Sequence, residues 1–589
     1  MIVCVGCVDI WAAVGGMSGN LKVIYFGNMR ADARLGGIQM EKLKPKLFSV
    51  MKNYTKEQFI KDVVAGIIVA IIALPLSIAL ALASGVTPEK GIYTAITAGF
   101  VISFLGGSRV QIAGPTAAFA TIVAGIVAEN GFEGLVIATL LAGVILILMG
   151  LLRLGSLIKF IPYTITTGFT AGIAVTIFIG QIKDFLGLTV VTEEPLIETM
   201  DKLKAVFTFI HTVNWQAVMV GGVCLAILIL WPYLPGFCKK IPPSLIAVLA
   251  GIAMVGGLKL EVNTIGDLYE ISNKLPTVSL PAFGMETVRN VLPDAFTIAV
   301  LAAIESLLSC VVADSMINSR HRSNMELVAQ GAGNIVSALF GGIPATGAIA
   351  RTAANIKNGG RTPIAGMVHG VVLLLILVVL MPYAALIPMP TIAAILFMVA
   401  YNMCGWRKFV YLCRTSPKSD IAVLVMTFLL TVVFDLVVAI EVGILMAAIL
   451  FMKRMSEVTE VEGWKYIDDE DDPDSLSLRT VPEDTRVYEI SGPLFFGAAD
   501  KILTITLDEK INCLILRMRG VSAIDATAMH NLEEMLADCR RKKIHLVLSH
   551  VNEQPMRVMQ KAGFVEMVGN ENFCSHIDDA LRRAEELHR

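Results

Sequence analysis

Charge is scarce in this chain. Only 17% of its 589 residues are Asp, Glu, Lys or Arg, and 50 acids nearly balance 48 bases. A net charge of −2 supplies no basic surface, so nucleic acid is not an expected partner. The eight histidines show no metal-ligand spacing. The ten cysteines lie in apolar runs, on one assigned side of the membrane or in the tail, never in a predicted external loop. That excludes a disulfide framework. Cys4 and Cys7 form a CxxC with no second pair or His cluster, so no metal site is expected. No kinase loop and no nucleophile elbow is present, and the expectation is a protein that is not an enzyme and carries no cofactor.

Apolar sequence is what the chain has instead. It is 55% hydrophobic, with a mean hydropathy of +0.70. Between residues 62 and 455 the apolar runs recur at lengths near those of bilayer-spanning helices. Fourteen segments are read, at roughly 62–83, 91–107, 115–129, 133–152, 163–186, 215–234, 242–258, 292–314, 325–342, 346–357, 363–382, 389–402, 419–434 and 436–453. Several are too short to span alone. With the N-terminus placed inside, the inner loops collect Arg109, Arg153, Lys159, Lys239, Lys240, Arg320, Arg322, Lys357, Arg361, Arg407 and Lys408. The outer loops carry Lys90 and a few lysines and arginines in two long loops, which also hold Glu193, Glu194, Glu198 and Asp201. The reading is a multi-pass protein of the cell membrane with both termini cytoplasmic. Residues 1–61 form an N-terminal segment. Of these, 1–39 read as dispensable, because an ordinary basic start, "MEKLKPKLF", begins at Met40.

One stretch resists a simple spanning role. "GGIPATGAIARTAANIKNGG", Gly341 to Gly360, holds five glycines, a proline, Arg351, Asn355 and Lys357 between two apolar runs. An earlier stretch matches it. "FLGG" at Phe104–Gly107 precedes "VQIAGPTAAFATIVAG", as "LFGG" at Leu339–Gly342 precedes "IPATGAIARTAANIKNG". Each opens a helix too short to cross. Seven segments per half give the halves opposite orientations, the pointer to an inverted repeat with discontinuous helices at a binding site. Two half-helix starts near the midplane aim unsatisfied N–H groups and positive dipole ends at one place, which suits an anion. Arg351 adds a full charge there. The alternative is a structural kink with Arg351 snorkelling to the inner surface.

These stretches, with "DVVAGIIVAIIALPLSIALALASGV" and "IESLLSCVVADSM", resemble the SulP family of anion transporters, the sulfate permeases. The resemblance implies a polytopic α-helical fold of fourteen spans in a seven-plus-seven inverted repeat, with core and gate domains over residues 62–455. It also implies a homodimer and elevator-type alternating access. The family's substrate site falls on Thr116, Ala117 and Ala118 at the start of span 3, and on Gly347, Ala348, Ile349, Ala350 and Arg351 at the start of span 10. In span 1 the chain departs from the family, with Leu76 where many members follow Pro75 with Gln. Glu305 is the expected coupling residue, since an intramembrane carboxylate is functional by default. Its alternative is a neutral structural Glu or a partner for Arg351. Sodium-coupled bicarbonate members carry Asp there with a hydroxyl one turn later, and here the pair is Glu305 and Ser309. Asp314, Arg320 to Arg322 and Asn334 read as inner-face loop or packing residues.

Residues 456–482, with "DDEDDPD" at Asp468–Asp474, read as an acidic linker. From 483 to 589 short β runs alternate with amphipathic helices, a small cytoplasmic α/β domain that resembles a STAS domain. Thr527 in "IDATAMHNL" takes that family's phospho-acceptor position, although Asp525 is also a plain N-cap. The expectation is a secondary transporter of small anions, of the dicarboxylate, sulfate or bicarbonate class, coupled to protons. The alternatives are a sodium-coupled bicarbonate carrier and an uncoupled channel or exchanger. The expected partners are the anion, protons or sodium, and membrane lipid.

Overall fold

The computed structural model describes residues 43–156, 162–191, 199–234, 242–269, 274–279, 281, 284–434, 436–463, 479–505 and 511–588. Residues 1–39 with Cys4 and Cys7, Lys159, Glu193, Glu194, Glu198, Cys238 to Lys240, Asp435 and the run 468–474 lie outside them, as does the side chain of Glu441.

A short helix α1 (Leu47–Val50) precedes the first long ones, α2 (Lys56–Ala83) and α3 (Pro88–Leu105). Strand β1 (Ala113–Gly114) leads into α4 (Ala117–Leu151). Then come α5 (Tyr163–Leu186), α6 (Trp215–Leu230), α7 (Pro243–Leu258), α8 (Met285–Ile317) and α9 (Ser323–Leu339). Strand β2 (Thr346–Gly347) leads into α10 (Ile349–Lys357), followed by α11 (Ile364–Ala384), α12 (Met389–Cys404), α13 (Lys418–Val433) and α14 (Leu436–Val458). Every apolar segment of the sequence is therefore helical. Segments 115–129 and 133–152 run together as α4, broken at Gly131, whose φ of +67° only glycine adopts readily.

Seven described helices are by themselves long and apolar enough to cross a bilayer. The reason the others are not is visible in α9 and α10. Helix α9 places Glu326, Gln330 and Asn334 on one buried stripe, and α10 has only nine residues with Arg351 buried. Helices that face protein on all sides can carry polar groups that lipid would reject. Lipid-facing surface is left to apolar side chains such as Leu148, Leu151, Leu375 and Val379, each about half exposed or more.

The chain divides into two compact units. One comprises residues 1–160 and 174–402, the other 161–173 and 403–589. In the first, α8 and α9 pack on α4, and α11 packs on α2 and α3. Small residues allow this closeness: at Gly143 and Gly150 of α4 an added Cβ would stand 2.6 Å from Ile335 and Val328 of α9.

In the second unit a five-stranded sheet has the order β3-β4-β5-β6-β7. The strands are β3 (Glu460–Gly463), β4 (Thr485–Ser491), β5 (Cys513–Gly520), β6 (His545–Ser549) and β7 (Phe573–Cys574). Only β3 is antiparallel to its neighbour. Helices α15 (Ala526–Arg541) and α16 (Glu553–Lys561) bury Leu532, Met535, Leu536 and Met559 with Leu514, Leu516 and Leu546 in one core. Helix α17 (Ile577–Leu587) closes a second with Val487, Ile515 and Val547. Glu489 accepts from buried Arg517 (3.1 Å) and from Arg519 (2.6 Å). Burial and then the nearby Asp484 push the Cys513 thiol up to about 12, and burial pushes Cys539 to about 11. At pH 8 about one Cys513 in ten thousand is a thiolate. In the folded protein both are expected to resist alkylation by iodoacetamide for hours, read by mass spectrometry, and to label within minutes in denaturant.

Candidate anion site

The two half-helix starts meet. Strands β1 and β2 pair antiparallel, Ala113 with Gly347 and Gly114 with Thr346. Exchanging the two strands turns each pair into the other. The pairing sets the N-termini of α4 and α10 on either side of one small ladder.

Side chains from distant helices hold that ladder. Asn334 of α9 donates to the Ala345 carbonyl (2.9 Å) and accepts from its N–H (2.8 Å). Thr94 of α3 accepts from the Ile343 N–H at 2.7 Å. Glu326 accepts from the N–H groups of Gly107 (2.8 Å) and Ser108 (3.1 Å), and Asn355 donates to the Val110 carbonyl at 2.9 Å. Ser306 of α8 lies 2.6 Å from the Thr346 hydroxyl and accepts from the Gly347 N–H at 3.1 Å. Asn334→Ala would orphan two buried backbone groups of Ala345, at about 1–3 kcal/mol each. The expected result is a fall of several degrees in the thermal midpoint of the purified protein, together with loss of transport.

The sequence-nominated residues separate into three kinds. Ala117, Ala118, Ile349, Ala350 and Arg351 supply the first turns of the two helices. Ala117 and Ala118 are buried, whereas Ile349 is 45% exposed. Gly347 and Ala348 sit at the same place, but their N–H groups are taken, by Ser306 and by the Ile112 carbonyl (2.9 Å). They shape the site and are not free donors to it. Thr116, before α4, donates to Glu305 Oε2 at 3.0 Å. That bond ties α8 to the start of α4.

Arg351 is 1% exposed, so it does not snorkel to a surface. One guanidinium nitrogen, Nη2, donates to the Pro115 carbonyl (3.1 Å) and to Ser77 Oγ (3.4 Å). Nε and Nη1 are buried without partners. Among the described residues it pairs with no carboxylate, Glu305 included. A Cβ at Gly114 would lie 2.4 Å from Nη1, so a larger residue there would displace the guanidinium. Leu76 brings no polar group to Arg351, but its neighbour Ser77 does. Ser309 does not turn to Glu305. Its hydroxyl donates to Thr352 (3.4 Å), which accepts from the Ile112 N–H.

A buried cation with two idle donors, beside two helix starts, can take up negative charge. A description of the sulfate permease family matches residues 59–427, and one of the STAS domain matches 477–580. The chain belongs to the sulfate permease family. Among its sulfate permease relatives, a Bacillus subtilis protein named as a putative sulfate transporter is 40% identical, over 90% of this chain and 98% of that one. A bicarbonate transporter of Picosynechococcus is 30% identical over 89% and 94%. The solved structure of a murine Solute Carrier 26 family member A9 anion transporter, inward-facing, matches with a TM-score of 0.84 at 19% identity, over 97% and 99%. That likeness shows the fold, a multi-pass helical membrane domain with a STAS domain.

In the STAS domain of this permease, Thr527 is exposed in the first turn of α15. Asp525 caps that helix by accepting from the Ala528 N–H at 2.9 Å, and it also accepts from the Phe496 N–H. Sequence reasoning missed Ser306, Thr94 and Glu326. Their only local signal is a polar residue recurring within an apolar run.

Proposed function

We propose that this sulfate permease is a secondary active carrier of small anions of the sulfate, bicarbonate or dicarboxylate class, driven by protons. The observation that carries the reading is Arg351, buried and unpaired between two half-helix starts. The anion binds to the first amides of α4 and α10 with Arg351 beneath them. Glu305, bonded to Thr116 at the edge of the same site, takes up and releases the proton. When Glu305 changes charge, its bond to Thr116 changes with it, which links proton movement to the start of α4. Ser309 is engaged by Thr352, which favours protons over a Glu305–Ser309 sodium site. The core then shifts against the gate in an elevator-type cycle. The carrier is a homodimer in the cell membrane, with both termini cytoplasmic by the placement of Lys and Arg.

The test is uptake of labelled fumarate, succinate, sulfate and bicarbonate into proteoliposomes at two pH values. The expected result is accumulation of at least one of them above equilibrium when the trans side is more alkaline, with no response to a sodium gradient. Flux that never exceeds equilibrium under any ion gradient would make the protein a channel or exchanger. Accumulation that follows sodium alone would transfer coupling to sodium.

A further inference from the structure

Cationic side chains from three separate stretches of chain meet beside the glycine pair that precedes β1. The Lys46 N–H donates to the Gly106 carbonyl (2.8 Å) and the Arg322 N–H to the Gly107 carbonyl (3.0 Å). Gly107 must lack a side chain, since a Cβ would stand 2.1 Å from the Arg322 carbonyl oxygen. Arg109 follows two residues later. Lys46 Nζ donates to the Arg320 carbonyl at 2.7 Å. Arg322 Nη1 donates to the Lys44 carbonyl (2.6 Å) and Nη2 to Ser49 Oγ (3.0 Å). All these acceptors are neutral. Arg109 Nε is buried with no partner.

The nearby acids are committed elsewhere. Asp314 accepts from the N–H of His321 and lies against its ring nitrogen, both at 2.7 Å. Glu326 accepts from Gly107, Ser108 and Gln330. Among the described residues, Lys46, Arg109, Arg320 and Arg322 form no ion pair. Burial first, then Arg322 and Arg109, hold the Lys46 ammonium below its usual range, with Asp314 acting against them.

The surface beside the cluster is apolar. Phe48 of α1 meets Phe104 of α3 edge to face at 6.2 Å, and the two are 49% and 38% exposed. Phe100 lies one turn along α3 from Phe104 and is also exposed. Residues four apart share a helix face, so an apolar strip leads away from the cations along a spanning helix.

We propose that Lys46, Arg109 and Arg322 bind the phosphate of an anionic phospholipid headgroup, with an acyl chain along Phe48, Phe104 and Phe100. A phosphate supplies the negative charge that these side chains lack, and an acceptor for the unpartnered Arg109 Nε. The strip selects a lipid over a free anion. The site also braces the loop that feeds the transport machinery, because Arg109 lies four residues ahead of Ala113 in β1.

The experiment uses the full chain, delipidated in detergent and exposed to phosphatidylglycerol or phosphatidylcholine, with bound lipid counted by native mass spectrometry. Phosphatidylglycerol should be retained and phosphatidylcholine lost. Arg109→Gln and Lys46→Gln should each weaken retention about fivefold, and Arg109→Lys should preserve it. Equal retention of the two lipids, or Gln variants that hold phosphatidylglycerol as the wild type does, would overturn the proposal. So would displacement of the lipid by millimolar inorganic phosphate, which would assign the cluster to a soluble anion. Should a variant fail to fold, the wild-type thermal midpoint in nanodiscs of each lipid gives the same decision, a higher value in phosphatidylglycerol being expected. None of these readouts depends on which anion is carried or whether protons drive it.

Discussion

Glu305→Gln is expected to abolish accumulation driven by a pH gradient while leaving substrate binding and one-for-one exchange. Glutamine keeps the size of the side chain and can still meet the Thr116 hydroxyl, so the tie at 3.0 Å between α8 and the start of α4 has a substitute. What it cannot do is change charge. A carboxyl in an uncharged stretch of helix, beside Ala302, Ala303, Ile304 and Leu307, is costly to retain for packing alone. The measurement is labelled-substrate uptake into proteoliposomes with an imposed proton gradient, beside counterflow without one. Wild-type accumulation by the variant would remove Glu305 from coupling. Loss of counterflow as well would make it a binding or structural residue.

Arg351→Ala should weaken anion binding by about thirtyfold or more, the cost of removing one partner of a desolvated charge pair being about 2–5 kcal/mol. Stability should change far less. In the unliganded protein the guanidinium faces no carboxylate and leaves two nitrogens unpaired. Removing it strands no opposite charge, only the Pro115 carbonyl and the Ser77 hydroxyl. Arg351→Met fills the space that alanine leaves and separates lost charge from lost volume. Isothermal titration or substrate-induced thermal shifts would check both variants. An unchanged affinity in a folded Met variant would rule Arg351 out as the anion's partner.

The features that located this site in the sequence are those that disturb a local pattern. The paired "GG" stretches and Arg351 stand out because an apolar helix would not contain them, and the structure brings the two stretches into one ladder. The long helices follow from apolar runs, with two of the fourteen segments merged into α4. What the sequence hid are bonds across great chain distance. Thr94 and Ile343 are 249 residues apart, and Glu326 and Ser108 are 218 apart. A threonine in an apolar helix looks the same whether it bonds its own preceding turn or a strand from the other half. Thr94 does both, donating to Lys90 as well. Asn334, placed by sequence with the inner-face or packing residues, is buried and clasps Ala345. For the same reason the donors of Gly347 and Ala348 seemed free until Ser306 and Ile112 were seen to take them.

The β1–β2 ladder also bears on how such a chain arises. Each of its two residue pairs is the image of the other under exchange of the strands, which is the signature of an isologous contact between identical partners. Two copies of a single ancestral half could have made the same contact before they were joined. Identical copies, however, offer equivalent groups on both sides of the dyad and cannot assign different tasks to them. The joined chain can: Arg351 in the first turn of α10 answers to the alanines that open α4, and the only acids of α2, Glu57 and Asp62, lie in its first two turns, far from a position like that of Glu305. The ladder is symmetric, but the cation and the carboxylate beside it have separate addresses, and a preferred direction becomes possible only once the two sides differ.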